Sequence, residues 1–578
     1  MDRRSVSQVG TDRWVLKRMS LESSKGIYEL VRHFIERILT LLDRTFNKIF
    51  SSEFNPLYRS GTIAVALLSF VTVTGLILVF FYRLQEPYES VKEIQSAEWL
   101  RWLRSYHRYA SDAAVVAVVV HIFRMFAQKK SWGPRILAWC SGVALLALLM
   151  VSGWTGFVMV WDAQAQKLAI SGSSIFDSLG IFVDPISRSF DGSVKQPPPS
   201  FFFLNLFLHI AIPLSMIFGI WIHTAKMARA TWFPNRNLLY SLGVLFLIIS
   251  FAWSATLDDK ADLLLSPSLF SKDIFFNFWL TWGNHSPRNV SIFWSSIILG
   301  LLVLPFVLKP QAVARPQPSD LDEKKCHGCT QCVTDCPYEA IQMIRRKSEP
   351  FISDTVAIVN PLKCVSCGLC AASCGPMTIG PPERKGTDQY QAAKSFTRSL
   401  LNSGTSIENH SVVVGCSNQS FTLHQLRTYI GKSSNLHLYP VACMGSLHMA
   451  TIGYLAQHFK SILLAACPER NCTNKDAYLL LRDRLAGVRE PGLPSRVDSS
   501  RVTLLSVGEG EESKAFEVLE RSSKVKERFP SKVYRLSKAF FGGLILLTGI
   551  SYLSNFSPTQ HSSTPNRGNV RLSWRLAG

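Results

Sequence analysis

Four histidines stand in or beside apolar segments of the first 310 residues, where an ionisable side chain is costly and marks a functional position. They are His107, His121, His209 and His223, and they form two pairs that share a spacing of 14 residues. Fourteen residues make nearly four helical turns, so both members of a pair face the same side of a helix, about 21 Å apart. Two such helices predict two sites, one near each membrane face, at which paired imidazoles hold a haem iron. For a single histidine the alternative is a hydrogen-bonded core residue, but two pairs with one period favour two haems.

Glycines repeat this spacing in neighbouring apolar segments. Gly61 and Gly75 are 14 residues apart in the first segment, and Gly142 and Gly156 are 14 apart in the third. A flat macrocycle requires bare backbone beside it, which glycine supplies. A single glycine in a membrane helix is otherwise commonly a helix-packing position. The shared period predicts that these four glycines contact haem.

The cysteines are concentrated after residue 325, where twelve of the thirteen stand. Eight of them form two runs with the spacing Cys-x2-Cys-x2-Cys-x3-Cys, which is that of bacterial two-cluster ferredoxins. In such runs the fourth cysteine ligates the cluster of the other run. The spacing therefore predicts one [4Fe–4S] site made of Cys326, Cys329, Cys332 and Cys374, and a second made of Cys364, Cys367, Cys370 and Cys336. Zinc sites more often use two separated pairs of ligands, and disulfides are disfavoured in a reducing cytoplasm.

Four further cysteines follow apolar runs in the last third of the chain: Cys416, Cys443, Cys467 and Cys472. Short apolar runs that alternate with helical patterns are typical of a parallel α/β sheet, and residues 501–507 predict a fourth strand. Because the carboxyl ends of parallel strands meet in one crevice, we expect these thiolates to converge and to suit a [2Fe–2S] cluster. The alternative is an inert α/β domain with buried cysteines. The remaining Cys140 lies in an apolar segment and is expected only to pack there.

The histidines and glycines require membrane helices to position them. Four uncharged runs of 19 to 26 residues cover residues 62–81, 136–161, 238–256 and 290–308. Two further apolar segments, residues 109–126 and 201–224, contain or adjoin the histidines. Since a helix of about 20 residues crosses the hydrocarbon layer, we predict six spans rather than a buried soluble core. Residues 539–553 are shorter and predict either a seventh span or a helix at the membrane surface.

The formal charge of +21 is distributed around these spans. Basic residues are dense in residues 1–60, 124–135 and 226–236, which alternate correctly with six spans under the positive-inside rule. This distribution argues against a nucleic-acid partner. It predicts a multi-pass protein of the cell inner (cytoplasmic) membrane, with the iron–sulfur domains on the cytoplasmic side and the loops 83–101 and 161–200 outside.

The basic N-terminal arm contains an amphipathic segment. Apolar residues recur at helical spacing over residues 28–50. We expect this helix to lie on the cytoplasmic membrane surface, in contact with lipid. The alternative is an ordinary soluble helix that packs on the C-terminal domains.

These patterns predict a multi-domain chain in which an all-α transmembrane helical bundle precedes two iron–sulfur domains. The predicted parts are the arm (1–58), the bundle (59–308), a Pro-rich linker (309–324), a small ferredoxin α+β domain (325–384), a parallel α/β domain (410–530), and an apolar helix with a polar tail (536–578).

Four motifs in the membrane part carry a family resemblance. They are Trp102-Leu-Arg104-Ser-Tyr-His107-Arg108, His121-Ile-Phe-Arg124, His209-Ile-Ala-Ile-Pro213 and Gly153-Trp-Thr-Gly156-Phe-Val-Met-Val-Trp161. Together they resemble the cytochrome b family of quinol-oxidising bc-type complexes. The resemblance implies that His107 and His209 hold the haem on the outer side, and that His121 and His223 hold the haem on the cytoplasmic side. It also implies that Arg104 and Arg124 contact haem propionates, which suits a cation beside a carboxylate.

The chain also departs from that family. Val160 stands where the family's third-helix motif has a proline, and the loop before the last span lacks the Pro-Glu-Trp-Tyr motif of the outer quinol site. The nearest stretch is residues 271–279, in which Asp273 is a weak substitute for the missing glutamate. We therefore do not expect quinol oxidation at the outer face. A quinone site beside the cytoplasmic-side haem is expected, without an assigned residue.

Two elements of the α/β part carry a second resemblance. Cys443-Met-Gly and Cys467-Pro-Glu-Arg-Asn-Cys472 are similar to the delta subunit of methyl-viologen-reducing hydrogenases, an iron–sulfur protein. This resemblance implies that a soluble partner, a flavoprotein or a hydrogenase-like enzyme, docks at this domain. The family has an additional cysteine near its first one, where Asn418 and Gln419 stand here.

The sites together predict an electron-transfer subunit of a larger respiratory redox complex. Two haem b groups, two [4Fe–4S] clusters and one [2Fe–2S] cluster would carry electrons between a cytoplasmic redox partner and the membrane quinone pool, which is the role of an oxidoreductase subunit. The alternative is a pure electron-relay and membrane-anchor subunit without its own quinone site. A channel or transporter is disfavoured, because the intramembrane histidines are accounted for as haem ligands.

Overall fold

The computed structural model describes residues 27–180, 185–190, 196–228, 230–265, 275–278, 286–307, 317–346, 353–417 and 419–521. The apolar segment 539–553 with its tail, Asp273 and Asn418 lie outside the described residues. The helices of the first part are α1 (Ile27–Phe50), α2 (Ser60–Leu78), α3 (Pro87–Ser96), α4 (Glu98–Ala127), α5 (Ile136–Val158), α6 (Ala163–Ser178), α7 (Pro199–Trp221), α8 (Arg236–Ala252) and α9 (Pro287–Val307).

The starts of several helices follow from the local sequence. Pro87 and Pro199 stand in the first turns of α3 and α7, where a missing backbone N–H is not needed. Asp162 caps α6 by accepting a hydrogen bond from the Ala165 backbone N–H at 2.8 Å. At its carboxyl end α7 continues as a π-helix, Ile222–Ala228, which carries His223.

Five helical segments in the described part of the chain are long and apolar enough to cross a membrane. They are Pro56–Phe81, Glu98–Ala127, Gly133–Val158, Pro199–Lys226 and Pro287–Phe306. The remaining predicted span, residues 238–256, forms the shorter apolar helix α8, which ends at Ala252. The predicted helical bundle is confirmed, whereas the predicted count of six spans stays a prediction.

The bundle consists of helices packed along one another through small and apolar side chains. Helix α2 runs along α4, α8 also packs on α4, and α5 runs along α7. Ala110 and Ala114 of α4 are fully buried, and Leu67 of α2 and Phe246 of α8 close over them. Small residues allow membrane helices to approach closely, which is needed because lipid tails are as apolar as the helices. The two helices that carry the histidine pairs are thus each backed by a helix that carries a glycine pair.

The ferredoxin part is a pair of short two-stranded antiparallel sheets with two small helices. β1 (Asp320–Leu321) pairs with β4 (Ile379–Gly380), and β2 (Ile341–Arg345) pairs with β3 (Thr355–Val359). Helices α10 (Gln331–Thr334) and α11 (Leu369–Ser373) each follow the second cysteine of a run. The predicted α+β character of this part is confirmed.

The last described part contains a four-stranded parallel sheet, as predicted. Its strands are β5 (Ser411–Cys416), β6 (Leu436–Val441), β7 (Ser461–Ala466) and β8 (Val502–Ser506), in the order β6-β5-β7-β8. Its helices are α12 (Gly386–Asn402), α13 (Ser420–Ile430), α14 (Met449–His458), α15 (Ala477–Leu485) and α16 (Glu512–Arg521). β5 is buried along its whole length and β7 along almost all of it, which explains their continuous apolar sequences.

Helix α1 combines the two alternatives that its sequence left open. One face packs against the end of α4 and against the α/β domain, where Asn47 Nδ2 donates to the Glu509 carbonyl at 2.9 Å. The opposite face leaves Leu30, Phe34 and Leu41 about two-thirds exposed, at 67%, 64% and 65%. The helix is therefore packed on the C-terminal part, while its apolar face keeps the character expected of a lipid contact.

A buried ion pair joins the ferredoxin part to the α/β domain. Arg484 of α15 is fully buried and donates to the carboxylate of Asp335, which also accepts from Arg489. Ser373 Oγ lies 2.7 Å from both the Asp335 carboxylate and Arg484 Nη2. Asp335 and Ser373 precede Cys336 and Cys374, so this contact lies at equivalent positions of the two cysteine runs.

Replacing Asp335 with asparagine is expected to destabilise this contact by about 3–5 kcal/mol, because Arg484 would keep a buried charge without its partner. Urea-dependent proteolysis of the full-length protein in detergent measures the loss. The exposed pair between Asp320 and Lys385, with nitrogen and oxygen 2.7 Å apart, supplies the control. The control Asp320→Asn is expected to cost about 1 kcal/mol or less. Equal losses for the two variants would contradict the prediction.

Candidate functional site

The structure brings the four histidines together in the predicted pairs. His107 on α4 and His209 on α7 have ring centres 6.4 Å apart. Two imidazoles on opposite sides of one metal ion, with bonds of about 2 Å and the ring radius added, lie at this separation. At the other end of the 14-residue spacing, His121 and His223 are close enough to interact electrostatically. The four side chains therefore form two sites, one near each end of α4 and α7.

Each of the four glycines lies against one of these histidines. A Cβ atom added to Gly61 would stand 2.8 Å from His121 Cε1, and one on Gly75 would stand 2.9 Å from His107 Cε1. The corresponding distances on α5 are 2.8 Å from Gly156 to His209 Cε1 and 3.4 Å from Gly142 to His223 Cε1. The glycines thus leave room for the imidazole rings, and their predicted contact with haem stays a prediction.

Hydroxyl groups next to the glycines hold three of the imidazoles. Thr74 Oγ1 lies 3.0 Å from His107 Nδ1, Thr155 Oγ1 lies 3.1 Å from His209 Nδ1, and Ser141 Oγ lies 2.8 Å from His223 Nδ1. Each of these residues immediately precedes one of the glycines. Sequence reasoning missed them, although the signal was available: all four glycines follow a serine or a threonine.

These hydroxyl contacts select one tautomer of the histidines. The three hydroxyls donate their own hydrogen to backbone carbonyls three residues earlier, those of Val71, Ala138 and Ser152. Their oxygens are therefore free to accept from the imidazole Nδ1–H. A proton on Nδ1 leaves Nε2 as the electron-pair donor, which is the form that a metal ligand needs.

The two arginines that the family resemblance singled out have different surroundings. Arg104 donates from Nη1 to Gln95 at 2.8 Å and to the Ala255 carbonyl at 3.0 Å, so its guanidinium joins α4 to the segment after α8. Arg124 forms a buried ion pair with Asp43 of α1 at 2.5 Å. Its Nε is buried and has no hydrogen-bond partner among the described residues, so one N–H remains for an anionic group such as a propionate.

The eight ferredoxin cysteines surround two separate cavities. One is lined by Cys326, Cys329, Cys332 and Cys374, and the other by Cys336, Cys364, Cys367 and Cys370. Each cavity thus takes three thiols from one run and the last thiol from the other run. Gly328 and Gly368 adopt positive φ values of 66° and 81°, which bend the two loops around the cavities at a cost that only glycine avoids.

The thiols of both cavities lie in surroundings that disfavour free thiolates. Burial raises the pKa of Cys332 and of Cys367 to about 12. Backbone N–H groups of Ala340 and Thr378 point at the sulfurs of Cys336 and Cys374 at 3.3 and 3.4 Å. Hydrogen bonds to ligand sulfur are one of the features that set cluster potentials. Iron binding at these sites must displace the thiol protons.

The last four cysteines converge at the carboxyl edge of the parallel sheet. Cys416 ends β5, Cys443 follows β6, and Cys467 follows β7 directly. Hydrogen bonds from Cys443 and Cys467 lower the pKa of Cys472, and a further one joins Cys467 to Cys416. The sequence prediction of convergence therefore holds, and four thiols share one buried site. The remaining Cys140 packs among apolar side chains of the bundle.

This four-thiol group adjoins both the second ferredoxin cavity and the membrane part. Leu369 belongs to one packed cluster with Cys367, Cys443 and Cys472. Tyr338 lies beside the same cavity and accepts a hydrogen bond from Arg135, at the start of α5, at 2.5 Å. Burial raises the pKa of Tyr338 to about 12, so it stays neutral at this junction.

Comparisons with known proteins match these two parts separately. Residues 45–231 match the family model described as cytochrome b/b6/petB, and residues 325–376 match that of the 4Fe-4S dicluster domain. The four histidines lie in the first range and the eight ferredoxin cysteines in the second.

Three known proteins illustrate the extent of the likeness. Cytochrome b6 of Mastigocladus laminosus is 30% identical over 171 residues, which are 28% of this chain and 78% of that protein. Cytochrome b of Sulfolobus acidocaldarius is 29% identical over 129 residues, 22% of this chain and 23% of that protein. A chain of a solved hyperthermophilic respiratory complex III has 15% identity and a TM-score of 0.36, over 43% of this chain and 75% of that one.

Proposed function

Because this chain belongs to the cytochrome b/b6 family, we propose that it moves electrons between a cytoplasmic redox partner and the membrane quinone pool. It is a multi-pass membrane electron-transfer protein of the respiratory type, in which a haem-binding bundle is fused to a 4Fe-4S dicluster domain. We further infer that quinone is the membrane partner and that each thiol or histidine group holds one redox centre.

The haem sites are assigned to the paired histidines. His107 and His209 would hold one haem b, and His121 and His223 would hold the second. The 6.4 Å separation of the first two rings supports this assignment most directly. Haem bound there supplies a one-electron carrier within the membrane. Thr74, Thr155 and Ser141 keep the Nε2 atoms available, and Arg124 has a free N–H for a propionate.

The iron–sulfur sites are assigned to the three thiol groups. The two ferredoxin cavities would each hold a [4Fe–4S] cluster, with Cys336 and Cys374 exchanged between the runs. The group of Cys416, Cys443, Cys467 and Cys472 would hold a [2Fe–2S] cluster, in a domain that resembles the hydrogenase delta subunit. The four-fold thiol lining of each site supports these assignments.

The orientation follows the charge of the loops. Basic residues around 124–135 and 226–236 support a position of the iron–sulfur domains on the cytoplasmic side of the inner membrane. There they meet other subunits of a redox complex, with a flavoprotein or a hydrogenase-like enzyme as the soluble partner. The exposed apolar face of α1 lies in the lipid headgroup layer.

A second candidate is a relay subunit without a quinone site of its own. One observation favours it for the outer membrane face. The ring of Phe276, which is 1% exposed, lies directly on the bare backbone of Gly153, next to the end of α5. A large side chain therefore fills the space beside the segment that resembles the end of the family's third helix.

Redox titration of the purified full-length protein, followed by optical and EPR spectra, tests the proposal. We expect b-type absorption from two haems and signals from the iron–sulfur sites. A quinone analogue is expected to shift the spectrum of the haem held by His121 and His223 and to leave the other unchanged. No response to any quinone would favour the relay. Protein with native cofactors but without b-type absorption and iron would reject both.

A further inference from the structure

The loop that carries Cys472 touches the helix that carries His121. Oδ1 of Asn471, the residue before Cys472, accepts hydrogen bonds from Arg124 Nη1 at 3.0 Å and from Gln128 Nε2 at 3.2 Å. Arg124 is three residues after His121 on α4. A side chain next to one thiol of the four-thiol group is thus bonded to a side chain less than one turn from a haem-site histidine.

Arg124 is rigidly held at this junction. It is 4% exposed, it pairs with Asp43 of α1 at 2.5 Å, and its guanidinium lies 5.0 Å from the ring centre of Tyr58. Tyr58 in turn accepts from Asn47 at 2.8 Å. A guanidinium that is hydrogen-bonded to two partners fixes their relative position, because its N–H donors are planar and directional.

The four-thiol group is also in contact with the ferredoxin part. The cavity with Cys367 reaches the four-thiol group through Leu369. The cavity with Cys326 includes Cys329, which alone among the thirteen cysteines is exposed. The four-thiol group therefore adjoins α4 through Asn471 and the Cys367 cavity through Leu369.

We infer that Arg124 and Gln128 dock the Asn471–Cys472 loop on the His121 helix, which makes the four-thiol group the iron–sulfur site next to the membrane haem. This inference rests on the proposed function. Arg124, Gln128 and Asn471 are positioning residues: one electron passes between the two sites that they join, with no proton transferred and no bond broken. The α/β domain is then an internal relay between the ferredoxin part and the membrane bundle.

The test uses the full-length protein in detergent, with the variant Asn471→Leu. Leucine keeps the volume and removes the acceptor shared by Arg124 and Gln128. Reduction of the b-type absorption by a reduced soluble ferredoxin, which is too large to reach the bundle interior, is expected to slow severalfold, because the separation of the two sites is no longer fixed. A second measurement needs no turnover. The oxidised haem is expected to enhance the spin relaxation of the four-thiol site in EPR spectra, and this enhancement is expected to weaken in the variant.

Two further variants serve as controls. Asn402→Ala removes an exposed asparagine at the end of α12 in the same domain and is expected to behave like the wild type. Asn471→Asp keeps an acceptor for Arg124 and is expected to restore both the rate and the relaxation. Wild-type behaviour of Asn471→Leu would overturn the inference, as would equal losses in Asn402→Ala. Haem and iron contents, measured first, test the proposed function separately from this contact.

Discussion

Replacing Gly156 with valine is expected to remove the haem of His107 and His209 while the haem of His121 and His223 remains. A Cβ at this position would stand 2.8 Å from Cε1 and 3.4 Å from Nδ1 of His209. The ring has no room to retreat, because its Nδ1 is held by Thr155 of the same helix turn and by the Ser152 carbonyl at 3.0 Å. A valine side chain would push Nε2 off the axis that it shares with His107.

Haem content by pyridine haemochrome, together with reduced-minus-oxidised spectra, measures this effect. Gly300 of α9 supplies the matched control, since an added Cβ there meets no atom of the described residues within 4 Å. The variant Gly300→Val is expected to keep both haems. Two haems in Gly156→Val would show that the glycine is a packing position only, which was the alternative for any single glycine of the series.

Replacing Cys336 with serine is expected to eliminate the iron–sulfur site of the second cysteine run, not that of its own run. Cys336 belongs by sequence to the run that starts at Cys326, yet it lines the cavity of Cys364, Cys367 and Cys370. Loss of one of four thiolates from a buried site removes the cluster, because the remaining thiols are costly to ionise without iron.

Two reference variants make this result unambiguous. Cys367→Ser and Cys329→Ser each remove one cluster. Each of these two cysteines lines the cavity of its own run, unlike Cys336. The EPR spectrum and iron content of Cys336→Ser are expected to equal those of Cys367→Ser. A spectrum equal to that of Cys329→Ser would mean that the fourth cysteines are not exchanged. Cys140→Ser is the control without an iron ligand, since Cys140 packs among apolar side chains.

The sequence predicted the features that depend on short-range periodicity. The spacing of 14 residues on one helix places His107 and His121 on one face wherever that helix packs. The cysteine runs likewise define local loops around their ligands. The apolar runs that end in Cys416 and Cys467 predicted parallel strands, because buried strands need no alternation. Each of these patterns lies within one or two helices, strands or loops, so the local sequence is enough to predict it.

Features that depend on the pairing of elements were not predictable in this way. That Gly75 faces His107 and Gly61 faces His121 depends on how α2 packs along α4. Arg124 and Asn471 are separated by 347 positions, and no local pattern connects them. The length of α8 was overestimated because residues 253–256 are uncharged, although the helix ends at Ala252. The serine or threonine before each glycine is the exception, a local signal that went unused.

The exposure of Cys329 determines where this protein is vulnerable in air. Attack on sulfur by dissolved oxygen and peroxide follows exposure, and every other cysteine of the chain is at least partly covered. Oxidative damage is therefore expected to begin at the cavity that contains Cys329, while the other thiol groups and the membrane sites are still intact. Loss of this one ferredoxin site is thus expected to be the first sign of exposure to air.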